Sequence, residues 1–332
     1  MSKEKVSLRV ICFGGGSALP KVVLAGLKSY PIKITSVTSM VESGGSTGQL
    51  RQDLNVLPAG DISRHLIALS DAPQWKRSLF YLRFGKDKFS EGHTGHRFGT
   101  FFISISEYLS KDFEKTLRFV RKFLEIKKHQ ALPATLEKTN LLAVLMNGQI
   151  IKGEGEIDVP KEHNPKLRIK KIFLKPKVKA YPPVLTAVRK ADMIVIGPGD
   201  IYSSLIPCFL PDGIKKAVQR SKAKKVFVCN IMTKAGESDN FTVMDFVREI
   251  EGYIGCFFDF ILYNNKIPDK NRIREYKKAK PLFVDLVKID SSINLGRNKN
   301  KFIGDNLLIK KGSLLHDPNK VARILLKLCK PR

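Results

Sequence analysis

RVICFGGGSALPKVVLAGL, residues 9–27, decides how the rest of the chain is read. A short apolar run ends in Gly14, Gly15, Gly16 and Ser17, and apolar residues at helical spacing follow. That order predicts a buried strand over 7–13, a tight turn and a helix over 18–29. Residues 33–40 read as a second strand, so the segment opens a parallel sheet with a right-handed βαβ unit. Glycine reaches backbone angles that other residues avoid. The triplet therefore serves either the turn alone or the approach of an anion to backbone N–H groups at a helix N-terminus. As a dinucleotide fingerprint it is incomplete, because the third glycine position of GxGxxG holds Leu19.

Further along, ESGGSTGQLRQDL (42–54) reads as a loop, and PAGDISRHLIALSD (58–71) as a helix with Asp61 near its N-cap. Helical spacing continues through an inserted layer at about 58–128. Short β-like runs at about 132–175 surround Asn147 and Gly148, a hairpin signal, and predict an antiparallel excursion. The βα alternation then resumes. It gives a helix over 183–191, a strand over 193–199, helices around 203–221, a strand over 224–230, a helix over 242–252 and a strand over 258–265. Strand-like runs at 281–287 and 306–311 and a final helix from Asp317 follow. The expected fold is α/β, a Rossmann-like parallel sheet with helices on both faces, plus the helical insert and the β-hairpin region, in one domain spanning 1–332.

With 332 residues, 43% of them hydrophobic, the chain can bury a large core. Five cysteines without metal-ligand spacing predict buried thiols in a reducing, cytoplasmic setting rather than disulfides or zinc. No apolar run is long enough to predict a membrane span. The formal charge of +28 raises the question of nucleic acid, but the basic residues are dispersed and no RNA-binding signature interleaves them. A lysine-rich solvated surface ranks first as the explanation, anionic small molecules second and nucleic acid third.

Small and polar residues gather after the predicted strands, where ligands of open parallel sheets sit. These stretches are Gly14–Ser17; the loop with Gly44, Gly45 and Ser46, followed by Arg51; Gly197, Gly199, Asp200, Tyr202 and Ser203; and Asn230, Thr233 and Glu237. Together they predict a pocket for a phosphorylated ligand, with Arg51 as a bidentate phosphate partner. Each also has a plainer reading, such as Asp200 and Ser203 capping the next helix. His65 lies between apolar helical positions and reads as a packed histidine. His93 and His96 in GHTGHRFG have no third ligand nearby, so no metal site is predicted.

FGGGSALPKVVLAGL, ESGGSTGQLRQDLNVLPAGDISRHLIALSD, GPGDIYSSLIP, VCNIMTKAGESDNFTVMDFVREI and LYNNKIP resemble, in order, motifs of the YvcK-like gluconeogenesis factors. These form one branch of the CofD/YvcK family, whose other branch holds the 2-phospho-L-lactate transferases. The resemblance runs from about residue 8 to the HDPNKVA segment at 316–322. It implies a Rossmann-like core. In the YvcK-like branch it implies binding of a nucleotide sugar of the UDP-N-acetylglucosamine type and regulation of central carbon metabolism, envelope synthesis and cell shape. It places Gly14 to Ser17 and Gly197 to Ser203 against the phosphates, and Asn230 to Glu237 near the nucleoside or sugar.

The transferase branch instead implies magnesium-assisted transfer of a phosphorylated group from a nucleotide donor, with Glu42 and Asp61 as the carboxylates of that alternative. This chain reads VESGGSTG where relatives read ADDGGSSG, so Glu42 and Ser43 stand at a paired-aspartate position and weaken a magnesium site. The expected partner is a nucleotide sugar or another phosphorylated nucleotide, with no specific nucleic acid and with a homodimer as a further possibility.

Overall fold

In the computed structural model, which describes residues 7–85, 95–294 and 301–329, the opening apolar run forms strand β1, Arg9–Phe13. Its side chains alternate between two cores: Val10 and Cys12 pack into one, Ile11 and Phe13 into the other. A strand buried on both faces reads as continuously apolar, as a central strand of a parallel sheet does. β2 (Lys33–Thr38) and β3 (Gln130–Pro133) lie on one side of β1.

Three strands follow in sequence outside that sheet. β4 (Asn140–Leu145), β5 (Ile150–Lys152) and β6 (Ile169–Lys175) form an antiparallel sheet in the order β5-β4-β6. β7 (Met193–Ile196) returns to the main sheet on the other flank of β1, with Val10 opposite Met193 and Phe13 opposite Ile196. β8 (Lys224–Val228) adds beyond it, β9 (Met232–Lys234) branches off, and β10 (Phe260–Asn264) adds next. β11 (Phe283–Leu286) pairs antiparallel with β9, and β12 (Phe302–Asp305) is the last main-sheet strand. The seven parallel strands run β12-β10-β8-β7-β1-β2-β3, so the chain order reverses between β1 and β7. In open α/β sheets a ligand crevice opens at that reversal.

Helices cover both faces. On the Val10–Cys12 side lie the segment that follows the glycine triplet, π-wound from Pro20 to Leu24, and the helices Gly60–Leu69 and Pro318–Cys329. Gly26 lies so close to the Pro318 carbonyl that a Cβ could not fit between them. The helices Gln74–Tyr81, Phe98–Ser110 and Phe113–Phe123 extend this layer around Phe80, whose ring stacks on Phe123 and meets Phe98 and Phe102 edge-on. The opposite face carries Pro182–Lys190 and Val243–Ile254, the second of which begins in a reciprocal capping box between Thr242 and Asp245. The Asn147–Gly148 turn joins β4 and β5, with Gly148 in the left-handed region at φ 88°. Among the described residues no helix is long and apolar enough to cross a membrane.

Four readings change. Residues 45–54 form a helix, not a loop: Gly, Ser and Thr are weak helix formers, and burial of Thr47, Gly48 and Leu50 overrides them. Gly48 is obligatory there, because a Cβ would run into the Ser43 carbonyl. Residues 132 and 133 belong to the main sheet and not to the antiparallel excursion, since β3 pairs parallel with β2. At the C-terminal end the strand is Phe302–Asp305, whereas 306–311 only bridges Leu308 to His316, its two leucines burying into different clusters. Asp61 sits in the first turn of its helix, whose N-cap is Ala59, and does not cap it.

Candidate functional site

The bends after β1, β2 and β7 lie side by side. The Gly14 N–H donates to Val37 O at 3.2 Å and the Gly197 N–H to Phe13 O at 3.0 Å, which ties the three strand ends together. What approaches the triplet most closely is a side chain: a Cβ on Gly15 would collide with Asp61 Oδ2 and come within 3.4 Å of Ser204 Cβ. On Gly14 it would press on Leu205 and Leu19.

The loop after β7 is held from behind. Asn230 accepts from the Gly199 N–H at 3.1 Å and donates Nδ2 to Gly199 O at 2.9 Å. Glu237 accepts from the N–H groups of Tyr202 and Ser203 at 2.8 and 3.0 Å and from the Ser203 hydroxyl at 2.8 Å. Its carboxylate thereby fills the start of the π-wound turn Ile201–Leu205, where part of a phosphate was expected. Asp158, Asp200 and Glu237 stand close enough to share a cation, and the Lys234 ammonium sits among them. It lies 2.9 Å from Asp200 and 3.0 Å from Glu237 and also bonds Asp158. Burial lowers the Lys234 pKa, but the three carboxylates outweigh it and hold the group well above its ordinary value. Burial and neighbouring acids push Asp200 up to about 6 despite Lys234.

A cavity of 1110 Å³ opens on the other side of this knot. One wall is the segment 42–47, the second is Arg64, Arg83 and Arg97 from the helical layer, and the third is the antiparallel sheet and its 152–161 connection, including Lys152, Lys161 and Lys175. The helix Gly45–Leu54 starts at this wall, and no side chain caps its N-terminus. Its first N–H groups therefore point a partial positive charge at the cavity.

Carboxylates line the deeper part. Glu42 accepts from the Asp61 N–H at 3.1 Å and faces Arg64 Nη2 at 3.6 Å, while Arg64 Nη1 bonds Asp61 directly. Burial, then the charge of Asp61, raises Glu42 to about 7. Glu154 accepts from the Ser43 N–H at 3.1 Å and is raised by burial and by Glu42. Glu42 and Asp61 thus share the Arg64 guanidinium, with Glu154 close enough to feel its charge.

Of the residues singled out from the sequence, Glu42, Gly44, Gly45 and Ser46 line the cavity, and Asp61 stands behind Glu42 through Arg64. Gly14, Gly15, Gly197, Gly199, Asp200, Tyr202, Ser203, Asn230 and Glu237 form the switch-point layer beside it, with Gly16 half-buried and Ser17 exposed at its edge, and none of them is part of its wall. Arg51 turns away: its Nη2 donates to Thr139 O at 2.5 Å and Asn140 Oδ1 at 3.0 Å, because it sits in the last turn of its helix. Thr233 pairs with Asp285 and fastens β9 to β11. His65 is buried, as expected of a packed residue, and His93 lies outside the described residues. His96 is buried too, with Nδ1 2.7 Å from Ser46 Oγ.

Sequence reasoning missed Arg64, Arg83, Arg97, Lys152, Glu154, Lys161 and Lys175, which come from five separate segments. At the paired-carboxylate position Glu42 is matched to Arg64, and the Ser43 hydroxyl accepts from the Gly155 N–H at 3.0 Å. That donor set does not suit magnesium.

The chain shares this architecture with known proteins. A crystal structure of a protein from Bacillus halodurans superposes with a TM-score of 0.86 at 32% identity, covering 96% of this chain and 99% of that one. The gluconeogenesis factor of Halalkalibacterium halodurans is 35% identical over 327 residues, 97% of this chain and 97% of that protein. The gluconeogenesis factor of Bacillus subtilis is 35% identical over 97% of this chain and 98% of its own length. The profile of the family described as 2-phospho-L-lactate transferase CofD matches residues 10–305, nearly the whole main sheet with its switch point, and the chain belongs to that CofD family.

Proposed function

We propose that this protein binds a nucleotide sugar of the UDP-N-acetylglucosamine type and acts as a regulator of central carbon metabolism and envelope synthesis. The diphosphate lies at the N-terminus of helix Gly45–Leu54. One observation carries this reading: an uncapped ten-residue helix opens into a cavity whose other walls supply guanidinium and ammonium groups. Backbone donors and the helix dipole suit phosphate there. The volume of 1110 Å³ is slightly above the roughly 300–1,000 Å³ that ligand pockets span, room for a nucleoside and a sugar. The relatives named gluconeogenesis factors support the regulatory part. In this reading the switch-point residues Gly14–Ser17 and Gly197–Ser203 shape the cavity from behind, with Asn230 and Glu237 fixing the loop after β7.

Isothermal titration calorimetry with UDP-N-acetylglucosamine, UDP-glucose and UMP tests it. Binding of the sugar nucleotides above UMP is the expected result, and no heat from any of them at millimolar concentration refutes the proposal.

A second reading, transfer of a phosphorylated group from a nucleotide donor, is favoured by one feature: Glu42, raised to about 7 on the cavity wall, could exchange a proton near neutrality. Product formation from a nucleotide donor and a deazaflavin acceptor, lost in Glu42→Gln, would select it.

A further inference from the structure

Arg83 and Arg97 face each other across an isolated antiparallel bridge and both line the cavity. The bridge is closed by hydrogen bonds from the Phe98 N–H to Leu82 O at 2.8 Å and from the Phe84 N–H to His96 O at 2.9 Å, so the pairing is in register. Residues directly opposite on one face of a ladder bring their side chains together, and like charges so placed are destabilising.

The described residues do not neutralise them. Among the described residues neither arginine has an ion pair: Arg83 donates to the Gly95 carbonyl, and Arg97 lies 5.8 Å from the Tyr81 ring centre. The Arg97 Nε is buried with no hydrogen-bond partner. Burial first, and then the charges of Arg64 and Arg83, lower the Arg97 pKa, so the three cations feel one another. The cluster also abuts the open helix start, since Ser46 Oγ meets His96 Nδ1, the neighbour of Arg97, at 2.7 Å.

We propose that Arg83 and Arg97, with Arg64 beside them, form a guanidinium clamp for a multiply charged phosphate group, the diphosphate of a nucleotide or free pyrophosphate, held against the N-terminus of helix Gly45–Leu54. The clamp rests on the reading of this cavity as an anion site but not on any nucleoside or sugar. Guanidinium forks match phosphate oxygens in pairs, and a dianion between two arginines removes the repulsion that the bridge imposes. The arginines are therefore binding residues whose cost to the free protein is offset by the ligand.

This predicts effects of opposite sign in one variant. Thermal unfolding and calorimetry of the full chain, with and without sodium pyrophosphate at matched ionic strength, compare wild type with Arg83→Gln, Arg97→Gln and the double variant. In the absence of pyrophosphate each single variant melts at or above wild type, because a like charge has gone. Pyrophosphate affinity falls roughly tenfold to a hundredfold in each, the range for a lost charged hydrogen bond, and the double variant shows no pyrophosphate-dependent shift. Arg83→Lys keeps the charge and the repulsion but loses the fork, so it folds like wild type and still binds less tightly.

Variants that bind pyrophosphate as tightly as wild type overturn the clamp. So do variants, Arg83→Lys included, that lose the same stability with and without it, which would make the arginines structural. Wild-type binding of UDP-N-acetylglucosamine that the variants leave unchanged also sinks the clamp, yet leaves the nucleotide-sugar reading standing. Arginine-dependent binding of pyrophosphate without binding of any UDP-sugar supports the clamp and removes that reading instead.

Discussion

Replacing Lys234 by Met tests whether the carboxylate knot behind the cavity depends on its internal cation. The Lys234 side chain is 5% exposed and its three partners grade from fully buried to accessible: Glu237 at 0%, Asp200 at 23% and Asp158 at 36%. Removing one partner of a buried ion pair costs about 3–5 kcal/mol, because the remaining charge is stranded. Here the loss falls at the low end, about 3 kcal/mol. Glu237 keeps its bonds from Tyr202 and Ser203, while Asp158 and Asp200 can turn toward water.

The pH dependence is the sharper part. Lys234 has a folded pKa raised above its ordinary 10.5, so the stability it contributes is fully present below that value and lost as pH rises through the folded pKa. Asp200 also has a raised folded pKa, from 3.8 to about 6, so its contribution is present below 3.8 and disappears as pH rises through about 6. Without the ammonium that opposes this shift, the Asp200 pKa rises further. The variant's deficit is therefore largest at about pH 8 and shrinks toward about pH 5, where carboxyl groups take up protons in place of the missing cation. Urea denaturation at the two pH values reads it directly. A loss below about 1 kcal/mol, or an equal loss at both, would refute the view that Lys234 stands in for a cation.

Glu42 should make ligand binding pH-dependent: its carboxylate repels a diphosphate, so affinity rises as pH falls through about 7, and Glu42→Gln flattens the profile in calorimetry between about pH 6 and 8. His65, with neither ring nitrogen bonded and its pKa lowered to about 3 by burial and Arg64, costs stability as pH falls below 6.5. His65→Leu should gain about 1 kcal/mol at neutral pH and unfold less readily in acid, and a loss of stability at both pH values would show that the ring is bonded in solution. Gly15→Ala drives a methyl group into the Asp61 carboxylate and should cost about 1–3 kcal/mol. In an Asp61→Ala background that cost should largely vanish, and an equal cost in both backgrounds would place the strain elsewhere.

The central strands β1, β2, β7, β8 and β10 were legible because each is a short, apolar run next to a helical period, and β1 carries both cores in alternation, whereas the edge strands β3 and β12 are four residues long and only partly buried. The switch point followed from where glycine-rich bends come after β1 and β7. The cavity was not legible, for two physical reasons. The helix Gly45–Leu54 opens with Gly, Ser, Thr and Gly, which disfavour helices, and its first turn forms because its neighbours bury it, so local propensity alone gives a loop there. The basic walls come from the Arg83–Arg97 bridge and from the antiparallel sheet, and both depend on pairings between residues that local periodicity does not connect. Arg51, adjacent in sequence to the right loop, points at Thr139 because helical geometry puts it two turns from the N-terminus.

The packing of Gly15 explains how the switch point can matter without lining the cavity. Asp61 leans on the triplet where a side chain would exclude it, Arg64 bonds Asp61, and Arg64 also faces Glu42 on the cavity wall. The missing Cβ at Gly15 therefore sets the position of a carboxylate, which sets a guanidinium, which sets the charge felt at the phosphate-type wall. Arg64 holds that place against three acids, Glu42, Asp61 and Glu154, which outweigh the lowering effect of burial and raise its pKa. An anion entering the cavity competes with those acids for the same guanidinium. Protonation of Glu42, raised to about 7, would remove one of those competitors while Asp61 keeps its direct bond to Arg64, so ligand binding through this guanidinium should be accompanied by proton uptake near neutrality, which calorimetry in buffers of different ionisation enthalpy reads.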